Sequence, residues 1–341
     1  MAEPINVWDY ERLAEERLSE HARAYFFGGA GDEWTLRENV AAFSRWMLRP
    51  RYLVDVSSVS TETTVLGEEV SMPVLVAPMA MQRLAHDEGE RLTARGAAAA
   101  GTVMCLSSVS TVKPRLVAEA APGGKRWFQV YVFEDRAMTR ELVEQAVDSG
   151  YSALVLTIDM PFLGRRERDL RVAFEVPAEF EVPSLGGIEP ALTWDDLESI
   201  SSYGLPVVVK GLMTREDAKL ACEHGAAAVV VSNHGGRQLD GVGATINALP
   251  EVVDGVAGRC EVYMDGGVRR GIDVLKALAL GARAVLVGRP ILWGLAADGE
   301  RGVARVLELL HEEVRVGLGL LGCCSPGDVS RSHVQPTLRG A

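Results

Sequence analysis

Residues Ser232–Gln238 read Ser-Asn-His-Gly-Gly-Arg-Gln and follow directly on the apolar run Ala226-Ala-Ala-Val-Val-Val231. A buried strand therefore ends by presenting an imidazole and, three residues on, a guanidinium, both on a loop softened by glycine. An imidazole can take a proton, and a fixed guanidinium can hold a carboxylate through two parallel hydrogen bonds. Alone, such a heptapeptide could be a structural turn. Its meaning depends on what the other strand ends carry.

Those ends supply a full set of reagents. The first strand is followed by Pro78-Met79-Ala80 and the second by Ser107-Ser108, while the third carries Gln129-Val130-Tyr131. The fourth ends Thr157-Ile158-Asp159 with Arg165-Arg166 shortly after, and the fifth ends Lys210-Gly211. The seventh ends Asp265-Gly266-Gly267-Val268-Arg269, and the eighth Gly288-Arg289-Pro290. Glycines after the seventh strand let backbone N–H groups approach an anion, and the arginines add charge, so these last two pieces form a phosphate site. No Gly-x-Gly-x-x-Gly follows a strand, which favours a mononucleotide over a nicotinamide dinucleotide. Lys210 closes an apolar strand, where a bare ammonium is costly unless it meets an anion. A Schiff-base role is its alternative, but that leaves His234, Arg237 and Asp159 without work. The carboxylate of Asp159 is placed to orient His234 and to stabilise the imidazolium formed on proton abstraction.

The elements that must hold these groups are short β-branched runs alternating with helical segments. Strands are expected near Val74–Ala77, Val103–Leu106, Trp127–Val132, Ala153–Ile158, Val207–Val209, Ala228–Ser232, Glu261–Met264 and Ala284–Val287. Helical stretches such as Glu88–Ala100, Met138–Ser149, Arg215–His224 and Gly271–Leu280 lie between them. Continuous apolar strands with intervening helices predict an α/β fold: a (β/α)8 TIM barrel in a single domain over 1–341, whose chemistry sits at the C-terminal strand ends. An open doubly wound sheet is the alternative. Residues 1–70 form an N-terminal extension, with a helix around Asp9–Tyr25 and with Arg49–Leu66 covering the barrel floor or side. The interval from the fourth to the fifth strand is about twice the usual βα spacing, and 160–192 reads as a lid loop.

Composition sets limits. Apolar residues make up 48% of the 341, enough for a large core, and the formal charge of −12 argues against nucleic acid or anionic membrane as partner. Only five lysines stand among the 35 basic residues. Five cysteines without a CxxC pair or metal-ligand spacing suggest reduced thiols and no metal. No stretch approaches the roughly 18 apolar residues of a membrane span, and no signal-peptide pattern opens the chain. A cytoplasmic location is expected.

The order base, glycine pair, arginine at His234–Arg237 resembles the signature of the FMN-dependent 2-hydroxy acid oxidases and dehydrogenases, the family of glycolate oxidase, lactate oxidase and mandelate dehydrogenase. Tyr25-Phe-Phe-Gly-Gly-Ala-Gly-Asp-Glu-Trp-Thr-Leu36 resembles that family's N-terminal motif. The resemblance covers nearly the whole chain. It implies His234 as base with Asp159 as its partner, Tyr131 beside the substrate hydroxyl, and Tyr25, Arg166 and Arg237 on the substrate carboxylate. It implies FMN contacts at Pro78, Met79, Ala80, Ser107, Gln129, Thr157, Lys210, Ser232, Asp265, Gly266, Gly267, Arg269, Gly288 and Arg289. The reaction implied is oxidation of an (S)-2-hydroxy acid to a 2-keto acid, with oxygen returning the flavin to its oxidised form and yielding peroxide. Ala80 after the Pro-Met pair is a family hint of oxidase behaviour. A homotetramer is implied too. The alternatives are a dehydrogenase that uses a quinone or carrier protein, and a barrel that binds flavin or acid without turnover. Three departures bear on the substrate. Val109 stands where plant glycolate oxidases have tryptophan, Val172 ends Arg166-Glu-Arg-Asp-Leu-Arg-Val172 where the family pattern has asparagine, and the lid is roughly twenty residues shorter. These predict a pocket for acids larger than glycolate, aromatic or long-chain, with Val109 as its small wall.

Overall fold

Eight short runs of valine, leucine and alanine become eight parallel strands that close on one another. In the computed structural model, which describes residues 3–337, they are β1 Val74–Val76, β2 Val103–Ser107, β3 Lys125–Val130 and β4 Ala153–Thr157. Then come β5 Val207–Leu212, β6 Ala228–Val231, β7 Glu261–Met264 and β8 Ala284–Val287. Each pairs with its sequence neighbours, and β8 closes on β1. The runs are uniformly apolar because both faces of every strand are buried. Helices pack on the outer face. One side-chain set fills the interior, with Leu75, Cys105, Trp127, Val155, Val208, Val230, Tyr263 and Leu286 all at 1% exposure or less. Trp127 and Tyr263 are the bulkiest of these and meet with ring centroids 5.6 Å apart.

The floor is sealed by a hairpin, Thr63–Val65 with Glu68–Val70. Its turn at Leu66-Gly67 has positive φ at both residues, the geometry a tight two-residue hairpin requires. Val65 and Val70 join the interior cluster, and the Leu66 N–H donates to Glu261 at the base of β7. Arg49–Leu66 therefore reaches the floor only through its end. Earlier, Trp46–Leu48 pairs with Val334–Pro336 instead, and Arg51 and Ser60 bond to the backbone of Leu321 and Cys324.

At the N-terminus the expected single helix is two, α1 Val7–Arg17 and α2 Glu20–Phe27. Leu18 is extended, and Ser19 Oγ accepts the N–H of Ala22, starting a new helix with a serine cap. A third helix, α3 Trp34–Ala41, follows. It is fixed to the loop after β6 by Asp240, whose carboxylate accepts the N–H groups of Trp34 and Thr35. Asn39 and Asn233 exchange side-chain hydrogen bonds, both 2.8 Å. The extension thus closes on the C-terminal end of the barrel strands as well as flanking the barrel.

Between β4 and β5 lie a short helix α4 Glu167–Arg171, an irregular stretch and a helix α5 Asp195–Ser201. The irregular stretch is anchored: Glu189 N–H donates to Val132 O and Glu134 N–H to Gly187 O, while Arg83 lies over the Phe180 ring. Among the described residues no helix is long and apolar enough to cross a membrane. Because the interior is filled by so few large side chains, Leu75→Ala is expected to cost about 2–5 kcal/mol. Leu320→Ala, at a 72% exposed position, should stay within about 0.5 kcal/mol. Urea unfolding of the two variants checks this.

Candidate active site

His234 sits in the left-handed region with φ 56°, and Gly235 and Gly236 continue there at 62° and 75°. Three such residues in a row turn the chain sharply off β6, and only His234 carries the side-chain strain. Close approach fixes the glycine at 236, where a Cβ would lie 2.5 Å from Leu36 N. The histidine is held from behind: Ser232 Oγ accepts its N–H at 3.1 Å and also accepts from Lys210 Nζ at 3.1 Å. Its Nδ1 meets Asp159 Oδ1 at 2.9 Å and its Nε2 meets Tyr131 Oη at 3.4 Å. A carboxylate at Nδ1 fixes the proton there and leaves the Nε2 lone pair free to accept.

Arg237 hangs from the N-terminal extension, donating to the carbonyls of Tyr25 and Gly28 and lying 4.8 Å from the centre of the Tyr25 ring. Arg166, 6% exposed, donates to Arg237 O and to Gln238 Oε1. Phe174, just beyond α4, stacks on Tyr25 with centroids 4.9 Å apart.

Charge is unevenly shared among these groups. Burial lowers the His234 pKa below its ordinary value; Asp159 opposes this, and Lys210 and Arg166 add to it. Burial alone would raise Asp159, but His234 and Lys210 outweigh it and hold the carboxyl low. For Lys210 burial works downward, yet Asp265 and Asp159 prevail and leave it raised. Burial and the neighbouring Arg166 push Arg237 down to about 10, and burial does the same to Arg269. Both remain cations at neutral pH, crowded and short of anions. The Tyr131 phenol is pushed up by burial and stays neutral.

One cleft at the C-terminal ends of the strands collects these groups. Every residue expected at the site lines it except Asp159 and Ser232. Those two stand behind, Asp159 on the imidazole and Ser232 beneath both His234 and Lys210. Val109 is absent from the lining as well: it is 1% exposed, its N–H turned onto Ser107 Oγ and its side chain in the core. It does not border this cleft. Phe26, Met160 and Gly235 line the cleft unforeseen. Phe26 adjoins Tyr25 and Met160 adjoins Asp159, but no side-chain chemistry marks either in the sequence.

Four polar atoms in the cleft wall are buried without a partner among the described residues: Gln129 Nε2, Thr157 Oγ1, Asp265 Oδ1 and Arg269 Nε. Buried polar atoms of this kind call for a ligand. Ser107, Gln129, Thr157 and Lys210 come from four adjacent strands, β2 to β5, and form an arc of hydrogen-bonding groups. At the other end Gly266 and Gly267 have φ of 92° and 80°. A Cβ on Gly267 would lie 2.0 Å from Asn39 O, so the extension packed behind the loop demands glycine there. Arg269 lies over the Trp293 ring, and Arg289 donates to the carbonyls of Phe26, Gly28 and Gly235.

The model of the FMN-dependent dehydrogenase family matches residues 14–187 and 185–336. An L-lactate oxidase from Nostoc sp. is 49% identical, covering 98% of this chain and 99% of its own. Glycolate oxidase 3 from Arabidopsis thaliana is 48% identical over 98% of this chain and 96% of its own. A crystal structure of mandelate oxidase superposes with a TM-score of 0.94 at 43% identity over 98% of this chain and 99% of that one. Another, with benzoyl-formic acid, gives 0.93 at 43% identity over the same shares. The chain belongs to the FMN-dependent dehydrogenase family, among its 2-hydroxy acid oxidases, and its cofactor is FMN. The arc of hydrogen-bonding groups, in which Gln129 Nε2 and Thr157 Oγ1 have no partner among the described residues, fits the edge of a flavin ring, and the glycine and arginine end fits a phosphate.

His234 should titrate below the ordinary histidine value of roughly 6.5, and Asp159→Asn should lower it further, because Asp159 opposes the shift. Nitrogen-15 NMR of the labelled imidazole measures both. The same depression contributes stability that is present above the unfolded pKa and lost as pH falls through the folded one.

Proposed function

We propose that this enzyme oxidises an aromatic or long-chain (S)-2-hydroxy acid to its 2-keto acid and passes the electrons to oxygen, producing hydrogen peroxide. One observation carries the chemistry: the acceptor nitrogen of His234 and the guanidinium groups of Arg166 and Arg237 face the same cleft, with Asp159 on the far side of the imidazole. Arg166 and Arg237 hold the substrate carboxylate, and Tyr25 closes over it. Tyr131 contacts the substrate hydroxyl. Ser107, Gln129, Thr157 and Lys210 hold the flavin ring, with Pro78, Met79 and Ala80 beside it, and Gly266, Gly267, Arg269, Gly288 and Arg289 hold its phosphate. FMN, when bound, supplies the two-electron acceptor.

His234 Nε2 takes the proton. In one order of events it takes the hydroxyl proton as hydride leaves the carbon; in the other it takes the α-proton first. Both end with an imidazolium beside Asp159, whose charge stabilises it, while Lys210 balances negative charge gained on its side of the cleft. Two things favour a bulky substrate. The cleft is bordered by Met160, a side chain that reshapes around ligands, and by Tyr25, which Phe174 backs by stacking on it. Mandelate oxidase is also a near structural neighbour. Oxygen as acceptor is favoured by the oxidase names of the relatives and by Ala80 beside the ring.

His234→Gln should retain FMN and slow anaerobic flavin reduction by roughly 10²–10⁴; rapid-mixing rates near wild type would remove His234 from the role of base. Mandelate or a C6–C8 hydroxy acid should exceed glycolate in kcat/KM by about ten- to a hundredfold, the worth of burying a large apolar group. A ranking with glycolate first would remove the bulky-substrate reading. Peroxide should form in equal amount to keto acid. Reduced flavin that survives in air would point to a dehydrogenase, and a yellow protein that no 2-hydroxy acid bleaches would point to binding without turnover.

A further inference from the structure

Gln238 ends the heptapeptide that begins at Ser232, and no role in the chemistry above falls to it. Its side chain is half-buried between two loops. The amide nitrogen donates to Asp159 O at 3.1 Å and to Phe162 O at 2.8 Å. The amide oxygen accepts from Gly164 N–H at 3.2 Å and from Arg166 Nη2 at 3.4 Å. Both donors and both acceptor positions are used, and two carbonyls on one side with two donors on the other allow only one orientation of the amide.

All four partners lie on the segment between β4 and α4, which carries Asp159 at one end and Arg166 at the other. The two loops are pressed together at this point. A Cβ on Gly164 would lie 2.4 Å from Arg237 O and 2.7 Å from Gln238 Cα. Arg166 Nε also donates to Arg237 O. A single residue thus fixes the backbone under the imidazole's carboxylate partner and the guanidinium that faces the cleft.

We propose that Gln238 is a positioning residue for the oxidation: it sets Asp159 against His234 and holds Arg166 towards the substrate carboxylate. This rests on the roles given above to His234, Asp159 and Arg166. Loop segments that hold reacting groups must be fixed closely, because small displacements reduce rate steeply. Hydrogen bonds of one uncharged amide do this without adding charge among already crowded cations.

The test uses the FMN-loaded enzyme and oxalate, a carboxylate with no hydrogen to lose, whose binding is followed by the flavin spectrum. Gln238→Met keeps the length and removes all four bonds. It is expected to weaken oxalate binding about tenfold and to slow flavin reduction by at least about tenfold, the scale of a lost hydrogen bond to a charged group. In an Arg166→Lys background its effect on oxalate should shrink to within about twofold, and in an Asp159→Asn background its effect on reduction should shrink likewise. Equal factors in both backgrounds mean general loosening and overturn the proposal, as do wild-type oxalate binding and reduction in Gln238→Met. If that variant does not fold, Gln238→Glu, which keeps the acceptors and loses the donors, is expected to slow reduction about tenfold; a rate within twofold of wild type overturns the proposal. Failure of wild-type flavin to bleach with any 2-hydroxy acid would remove the functional reading, while the oxalate comparison would still decide whether Gln238 holds Arg166.

Discussion

Five cationic side chains, Arg166, Lys210, Arg237, Arg269 and Arg289, converge on one cleft of a chain whose formal charge is −12. Taking charges out of water costs several kcal/mol each unless they are paired. Two carboxylates, Asp159 and Asp265, serve the lysine and the histidine. The arginines lean on backbone carbonyls instead, three of them for Arg289 alone. What remains is an unmet demand for anions, which a phosphate and a carboxylate would answer. The surrounding loops are arranged so that this cluster can exist before its ligands arrive.

Within the cluster, bonding is divided between groups that are complete and groups left open. Ser232 and Gln238 spend their hydrogen bonds inside the protein. Asp159 gives Oδ1 to His234, while its Oδ2 has no partner among the described residues. None of the three lines the cleft. Gln129 gives its oxygen to Ser107 and Ser108 but keeps its nitrogen free. Complete networks rigidify, and open atoms at their edge await a partner. The strain of His234 at positive φ persists because Ser232, Asp159 and the packed glycines over-determine it.

The N-terminal extension is part of this machinery. Its carbonyls at Tyr25, Phe26 and Gly28 receive Arg237 and Arg289, and Asn39 and Thr35 pin it to the loop after β6. Removing it would strip two guanidinium groups of their acceptors and open the back of the glycine loop after β7. The close packing of Leu36 against Gly236 and of Asn39 against Gly267 makes the same point in steric terms.

By itself the sequence determined the barrel, because eight apolar runs alternating with helical segments have one economical way to bury both faces. It determined the reagents as well, since histidine, aspartate, lysine and arginine at successive strand ends are visible as residue types. Tertiary structure alone decided their ranks. Ser232 and Asp159 proved to stand behind the cleft, and Val109 turned into the core, because the direction of a side chain after a strand end is set by loop torsions and not by residue type. Nor is Gln238 legible in advance: an amide announces no chemistry, and its four partners, 72 to 79 positions away in sequence, meet only once β4 and β6 are held in the same barrel. The break between α1 and α2 was written locally in Ser19, yet the closure of that extension over the cleft depends on contacts that only the folded chain makes.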